Sequence, residues 1–265
     1  MLDILRKIAA WKKKETSIRK VDFPLELLKN QARYHSSCYC LSDMLRSSIG
    51  PQIIAEFKRK SPSKGIIREP ADPVQICIGY QKAGAVALSV LTDEAFFGAH
   101  PNDFSKVRNE LDLPILRKDF ILEEYQVHKS KAMGADIILL IAALLSPKEV
   151  LKLGTLARDL GMDVLLELHS EEEMDRLCEP VSLIGVNNRN LDTFEVDTEN
   201  SKRLASFLPP DIPKIAESGL SGSSQIIDLF KSGFSGFLIG ETYMKSPDPG
   251  NKCLETINEI NAALR

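Results

Sequence analysis

From about residue 50 the chain repeats one unit eight times: a short apolar run, then an amphipathic stretch of helical length. The runs are Ile53-Ile54-Ala55, Val86-Ala87-Leu88-Ser89-Val90, Pro114-Ile115-Leu116, Ile137-Ile138-Leu139-Leu140, Val164-Leu165-Leu166, Leu183-Ile184-Gly185-Val186, Lys214-Ile215-Ala216 and Phe237-Leu238-Ile239. They are too short and too uniformly apolar for strands with one wet face, which suits parallel strands covered on both sides. Between them, Ser146-Pro147-Lys148-Glu149 reads as a helix start with a serine cap and proline in the first turn. Ser170-Glu171-Glu172-Glu173 reads as a capping box. Gly84, Gly134, Gly161 and Gly233 each stand where a helix must close before the next strand, the place for a left-handed residue.

Strand, helix, glycine, strand describes successive right-handed βαβ units. An open doubly wound sheet would want G-x-G-x-x-G after the first strand, and the chain has none there. Eight units in about 215 residues predict an α/β fold of the closed (β/α)8 TIM-barrel type. Residues 49–265 form this single catalytic domain, and residues 1–48 an N-terminal helical extension packed on the barrel. Within the extension Leu2, Leu5, Ile8 and Trp11 recur at helical spacing, and Pro24-Leu25 opens a second short piece.

A net charge of −3 offers no general attraction to nucleic acid or membrane. Lys12, Lys13, Lys14, Arg19 and Lys20 cluster, but Glu15 and Asp22 interrupt them, as on a solvated helix face. The five cysteines include no CxxC pair and read as free thiols of a cytoplasmic protein. No stretch approaches 18 apolar residues, so no membrane span is expected. His35, His100, His128 and His169 lack metal-ligand spacing, so no metal is expected; His169 stands near a strand end, where the next helix begins.

In a closed barrel the strands' C-terminal ends share one mouth, where reactive groups gather. Strand 1 continues into Glu56-Phe57-Lys58, strand 3 into Arg117-Lys118-Asp119 and strand 5 into Glu167 and His169. Strand 6 gives Asn187-Asn188-Arg189, strand 7 Glu217-Ser218-Gly219 and strand 8 Gly240-Glu241. Charges set directly after buried runs are costly to desolvate unless they pair or act. Lys58 and Lys118 with Glu56, Glu167 and Glu217 at one mouth can do both, since pairing tunes acidity. Ser218-Gly219 and Gly240-Glu241 follow the last two strands, where barrels often hold a phosphate on backbone N–H groups. The loop Arg59-Lys60-Ser61-Pro62-Ser63-Lys64-Gly65 is open to two readings, a solvated loop or a cationic lid.

At these residues the chain resembles the indole-3-glycerol-phosphate synthase family of tryptophan biosynthesis. The resemblance runs through Ile54-Ala55-Glu56-Phe57-Lys58-Arg59-Lys60-Ser61-Pro62-Ser63-Lys64-Gly65, Pro114-Ile115-Leu116-Arg117-Lys118-Asp119-Phe120 and Leu166-Glu167-Leu168-His169. It continues in Ile184-Gly185-Val186-Asn187-Asn188-Arg189-Asn190-Leu191, Ala216-Glu217-Ser218-Gly219 and Leu238-Ile239-Gly240-Glu241. It implies a lyase that closes, decarboxylates and dehydrates 1-(o-carboxyphenylamino)-1-deoxyribulose 5-phosphate to indole-3-glycerol phosphate, without a cofactor. Lys118 is then the general acid at the ketone oxygen, Lys58 holds the carboxylate, Glu56 tunes Lys58, and Glu167 is base or hydroxyl partner. Asn187 and Arg189 position the intermediate, Ser218 takes sugar hydroxyls, and Ser61, Phe120 and Glu217 join in binding substrate. Lys60, Gly219, Gly240 and Glu241 are assigned to the phosphate. The expected partner is this phosphorylated small molecule, with other tryptophan-pathway enzymes left open.

Two rival readings stand beside it. A phosphoribosylanthranilate isomerase would place cysteine at the end of strand 1 and aspartate at strand 6, where this chain has Glu56/Lys58 and Asn187. A non-catalytic phosphate-binding barrel would not need the full polar set.

Overall fold

The computed structural model of the protein describes residues 3–190 and 195–265, so Leu2 and Leu191 lie outside the described residues. Eight parallel strands close into a barrel: β1 (Gln52–Phe57), β2 (Ala87–Leu91), β3 (Ile115–Lys118), β4 (Ile137–Ile141), β5 (Asp163–Leu168), β6 (Leu183–Asn187), β7 (Lys214–Glu217) and β8 (Gly236–Ile239). Each pairs with its sequence neighbours, and β1 closes on β8 through registers such as Ile54 with Leu238. A two-stranded hairpin, Lys60–Ser61 with Gly65–Ile66, rises from the loop after β1.

Side chains alternate across a strand with a period of two, and here the alternation sorts the apolar residues into two cores. Ile53, Ala55, Phe57, Leu166, Leu168, Val186 and Ala216 pack outward under the helices. Ile54, Leu116, Leu139, Leu165, Leu183 and Ile215 fill the barrel interior. The interior parity, carried up to the strand ends, falls on Glu56, Lys118, Glu167, Asn187 and Glu217. One inward stripe per strand thus begins as aliphatic filling and ends as chemistry.

Helix punctuation follows the sequence reading. Asp72 and Ser146 cap their helices, the latter as a reciprocal box with Glu149, and each is followed by proline. Gly84, Gly134, Gly161 and Gly233 all take positive φ at helix ends. Ser170 departs from expectation: it makes no cap hydrogen bond, and Glu171–Arg176 winds as a 3₁₀ turn. The competing bond runs from the His169 backbone N–H to the Glu173 carboxylate at 2.7 Å, which takes the side chain a capping box would need.

The N-terminal segment touches both ends of the barrel. Helix α1 (Asp3–Asp22) sends Leu5 and Ile8 into the interior core at the mouth. After the short α2 (Leu25–Lys29), helix α3 (Leu41–Arg46) brings Leu41 and Leu45 to the same core. Leu45 reaches Gly236 at the start of β8, so α3 plugs the floor. Two expectations for α1 need correction. Trp11 is half exposed rather than packed. Lys12 is buried, not solvated, because its ammonium lies 2.8–2.9 Å from Asp93, Asp119 and Glu15. Interspersed charge in sequence could not reveal that two of those partners come from the barrel.

Candidate active site

A cavity of about 450 Å³ opens at the strands' C-terminal ends. Its centre is a buried charge array. Lys118 at the end of β3 puts Nζ 3.0 Å from Glu167 Oε2 and 2.5 Å from Glu217 Oε2. Burial alone would discharge this lysine, but Glu167, Glu217 and Glu56 outweigh it and hold its pKa above the ordinary lysine value. The two carboxylates are driven apart. Burial pushes Glu217 up to about 7 against the pull of Lys118, whereas Glu167 is held well below the usual range by Lys118, His169 and Asn187 despite its burial. Such divergence is how one site keeps one carboxyl protonated and another ionised near neutral pH.

Beside this array, Lys58 Nζ lies 2.6 Å from Glu56 Oε1, and Ser89 donates to the other oxygen of Glu56 at 3.1 Å. Room for these carboxylates comes from two glycines. A Cβ on Gly185 would come within 2.3 Å of Glu217 Oε1, and one on Gly240 within 2.6 Å of Glu56 Oε1. Each therefore admits a carboxylate that any side chain would displace.

Asn187 donates to Glu167 at 3.1 Å and accepts the Arg189 backbone N–H at 3.0 Å. Arg189 reaches Glu241 at 3.4 Å, and Lys245 holds the other Glu241 oxygen at 2.6 Å. Ser218 and Gly219 both take positive φ, so this loop turns its backbone sharply at the rim. Gly240 precedes the one-turn helix Glu241–Met244. One wall of the cavity is apolar, built from Ile4, Leu5 and Ile8 of α1 with Phe97 and Phe120, whose rings lie 5.9 Å apart.

Thus the predicted residues Glu56, Lys58, Ser61, Lys118, Phe120, Glu167, Asn187, Arg189, Glu217, Ser218, Gly219, Gly240 and Glu241 converge on one cavity. Lys60 falls outside its lining, in the hairpin and against Gly98; Lys64 and Lys245 supply the basic rim instead. Sequence reading passed over Ile4, Leu5, Ile8 and Phe97. The spacing of Leu5 and Ile8 did signal a buried helix face, but not that this face is a wall of the site.

A family model described as indole-3-glycerol phosphate synthase matches residues 5–255. An indole-3-glycerol phosphate synthase from Bacteroides thetaiotaomicron is 47% identical over 265 residues, covering all of both chains. The chain belongs to the indole-3-glycerol phosphate synthase family. Family members from Azoarcus sp. and Neisseria meningitidis serogroup B are 40% and 41% identical, covering 94% of this chain and 97% and 96% of theirs. Among solved structures, a mutant tryptophan synthase alpha-subunit from Pyrococcus furiosus superposes with a TM-score of 0.59 at 12% identity, covering 80% of this chain and 98% of that one. At that identity the likeness speaks for the barrel fold alone. Family membership makes the mouth array the place to look for chemistry. Among the described residues no cluster of three or more His, Cys, Asp or Glu is placed to hold a metal. Among the described residues no helix is long and apolar enough to cross a membrane.

Proposed function

We propose that the chain converts 1-(o-carboxyphenylamino)-1-deoxyribulose 5-phosphate to indole-3-glycerol phosphate, CO₂ and water. The observation that carries this reading is a charged lysine held between two carboxylates of opposite protonation tendency, at the centre of a cavity with one apolar wall and one basic rim. The aromatic ring packs on Ile8, Phe97 and Phe120, and its carboxylate faces Lys58. The phosphate takes the rim of Ser218-Gly219 and Gly240-Glu241, with Lys64 and Lys245 adding positive charge. Glu241 contributes backbone N–H there, its carboxylate being held by Lys245 and Arg189.

The ring carbon bearing the carboxylate attacks the ketone carbon, and Lys118 donates a proton to the oxygen that becomes the hydroxyl. A lysine whose proton is firmly held suits this step, because the acceptor is a developing alkoxide of comparable basicity. Loss of CO₂ returns the electron pair to the ring. The hydroxyl then leaves as water with a proton from Lys58, and Glu167 takes the proton released from the adjacent methylene carbon. Glu167 returns its proton to Lys118, 3.0 Å away, and solvent recharges Lys58, so the turnover consumes one proton and needs no oxidant or reductant. Glu56 keeps Lys58 aimed. Asn187 and Arg189 hold the intermediate in register, with Ser61 and Ser218 on its hydroxyls. The same reading places the enzyme in the cytoplasm, which its five free thiols support.

Incubation with the carboxyphenylamino-deoxyribulose phosphate should produce indole fluorescence in step with substrate loss. A folded protein that leaves this substrate unchanged overturns the proposal; turnover of phosphoribosylanthranilate instead would favour the isomerase reading.

A further inference from the structure

His169 stands one residue beyond β5, and its imidazole lies between two carboxylates. Nε2 is 3.3 Å from Glu167 Oε1, and Nδ1 is 3.5 Å from Glu173 Oε2. Both ring nitrogens are sealed from solvent, and neither contact has the direction of a hydrogen bond. Carboxylates only accept, so a neutral ring would set one bare lone pair against an acceptor. The doubly protonated ring offers an N–H to each side. Although burial opposes the charge, Glu167 and Glu173 push the imidazole up to about 9.

The charge balance at the mouth gives this cation a task. Glu56, Glu167 and Glu217 face two ammonium groups, Lys58 and Lys118. With three carboxylates and two ammoniums, one carboxyl tends to keep a proton, and Glu167 and Glu217 compete to be that one across Lys118. His169 touches Glu167 and has no such contact with Glu217, so it breaks the tie. The charged groups facing it are Glu167 of β5 and Glu173 in the following turn; Lys118 of β3 pairs with Glu167 and Glu217 of β7, so both reach the imidazole only through Glu167. The neutral Asn187 of β6 shares Glu167 Oε1, and Asn200 of the helix Glu199–Ala205 holds the His169 carbonyl at 3.1 Å.

We infer that His169 is a positioning residue for the ring-closing reaction, keeping Glu167 ionised and aimed at Lys118, with Glu173 as its outer anchor. The inference rests on the proposed reaction at this mouth. It also explains why a histidine near the mouth, with no metal-like spacing, is buried against acids.

The test measures kcat, KM and melting temperature from pH 5 to 9 for the wild type, His169→Phe, His169→Asn and Glu173→Gln. A folded wild type without turnover refutes the reaction and not the histidine's role; with turnover established, the variants decide that role. In His169→Phe, kcat near pH 6 should fall about 10–100-fold, less than the 10²–10⁴-fold of losing an acid or base outright, with little change in KM. Loss of the cation lets the shared proton pass from Glu217 to Glu167, so an acidic limb that lies below pH 5 in the wild type should move up into the measured range. His169→Asn should show the same upward displacement, and decides the matter if the phenylalanine variant does not fold. Glu173→Gln should move the limb less and in the same direction. An acidic limb unmoved in His169→Asn, with changes confined to melting temperature or KM, overturns the inference.

Discussion

The ammonium of Lys118 lies 2.5 Å from Oε2 of Glu217, a carboxyl that is 2% exposed and raised to about 7 by its burial. Removing that ammonium has two separable consequences. The proposed reaction loses its acid, so Lys118→Ala should retain at most about a hundredth of kcat, a general-acid loss of roughly 10²–10⁴-fold. The fold loses the counter-charge of Glu167 and Glu217, whose pKa values must then rise. Carboxyls with raised folded-state values stabilise below their unfolded values near 4.5 and lose that stability as pH climbs through the folded value. Lys118→Ala should therefore melt closest to wild type at about pH 4–4.5 and fall progressively behind up to pH 8. Activity above a tenth of wild type would remove Lys118 from the role of acid.

Glu56 and Lys58 share a face of β1 and meet at 2.6 Å. If they act as a unit, Glu56→Gln and Lys58→Met should each lose at least about 100-fold in kcat, roughly 2.7 kcal/mol. The double variant should then be little worse than the poorer single. Additive losses would mean separate steps. Lower melting temperature with intact turnover would reduce the pair to a structural bridge.

Gly240 has a φ of −127°, which any residue can adopt, yet a Cβ there would meet Glu56 Oε1 at 2.6 Å and Glu56 Cβ at 2.9 Å. Gly240→Ala should thus act through Glu56, lowering kcat by at least about tenfold and costing roughly 1–3 kcal/mol of stability through overpacking. Thermal melts with inorganic phosphate test the glycine's second proposed role, in the phosphate rim. At 100 times its Kd a ligand adds about 2.7 kcal/mol, and that stabilisation should shrink in the variant. Undiminished phosphate stabilisation with kcat still lowered would remove Gly240 from the phosphate site and leave it only as room for Glu56.

Lys12 ties α1 to the barrel through Asp93 and Asp119, all three nearly inaccessible to solvent. Lys12→Met leaves two buried carboxylates without their shared cation, a loss of about 3–5 kcal/mol. At roughly 2–4 °C per kcal/mol for a chain of this size, melting should drop by about 6–20 °C. Release of α1 would also take Ile4, Leu5 and Ile8 from the cavity wall, so KM should rise more than kcat falls. A melting point within about 2 °C of wild type would show that the helix is held by its apolar face alone.

The barrel was legible because its signal is local and repeated. Eight apolar runs, the Ser146 cap and four terminal glycines are each set by backbone sterics and the period of two or 3.6. The mouth residues were legible for the same reason, since Glu56, Lys118, Glu167, Asn187 and Glu217 sit at strand ends with interior parity. Where sequence reading failed, the deciding neighbour was distant. Lys12 looked solvated because Asp93 and Asp119 lie 81 and 107 residues away. Trp11 continued an apolar spacing, yet no part of the barrel covers it fully and it stays half exposed. Lys60 shared a basic loop with Lys64, and the hairpin sends only one of them to the cavity.

The sequence by itself determined the strands, their order, the end of the barrel that carries charge, and the family. Tertiary structure alone decided which carboxylates Lys118 holds, why Gly185 and Gly240 must be glycine, and which side chains of the N-terminal helix line the site. It also turned His169 from the expected start of a helix into the neighbour of Glu167. The reason is physical: strand and helix formation depend on residues a few positions apart, whereas ion pairing and close packing depend on distances that exist only once the barrel closes.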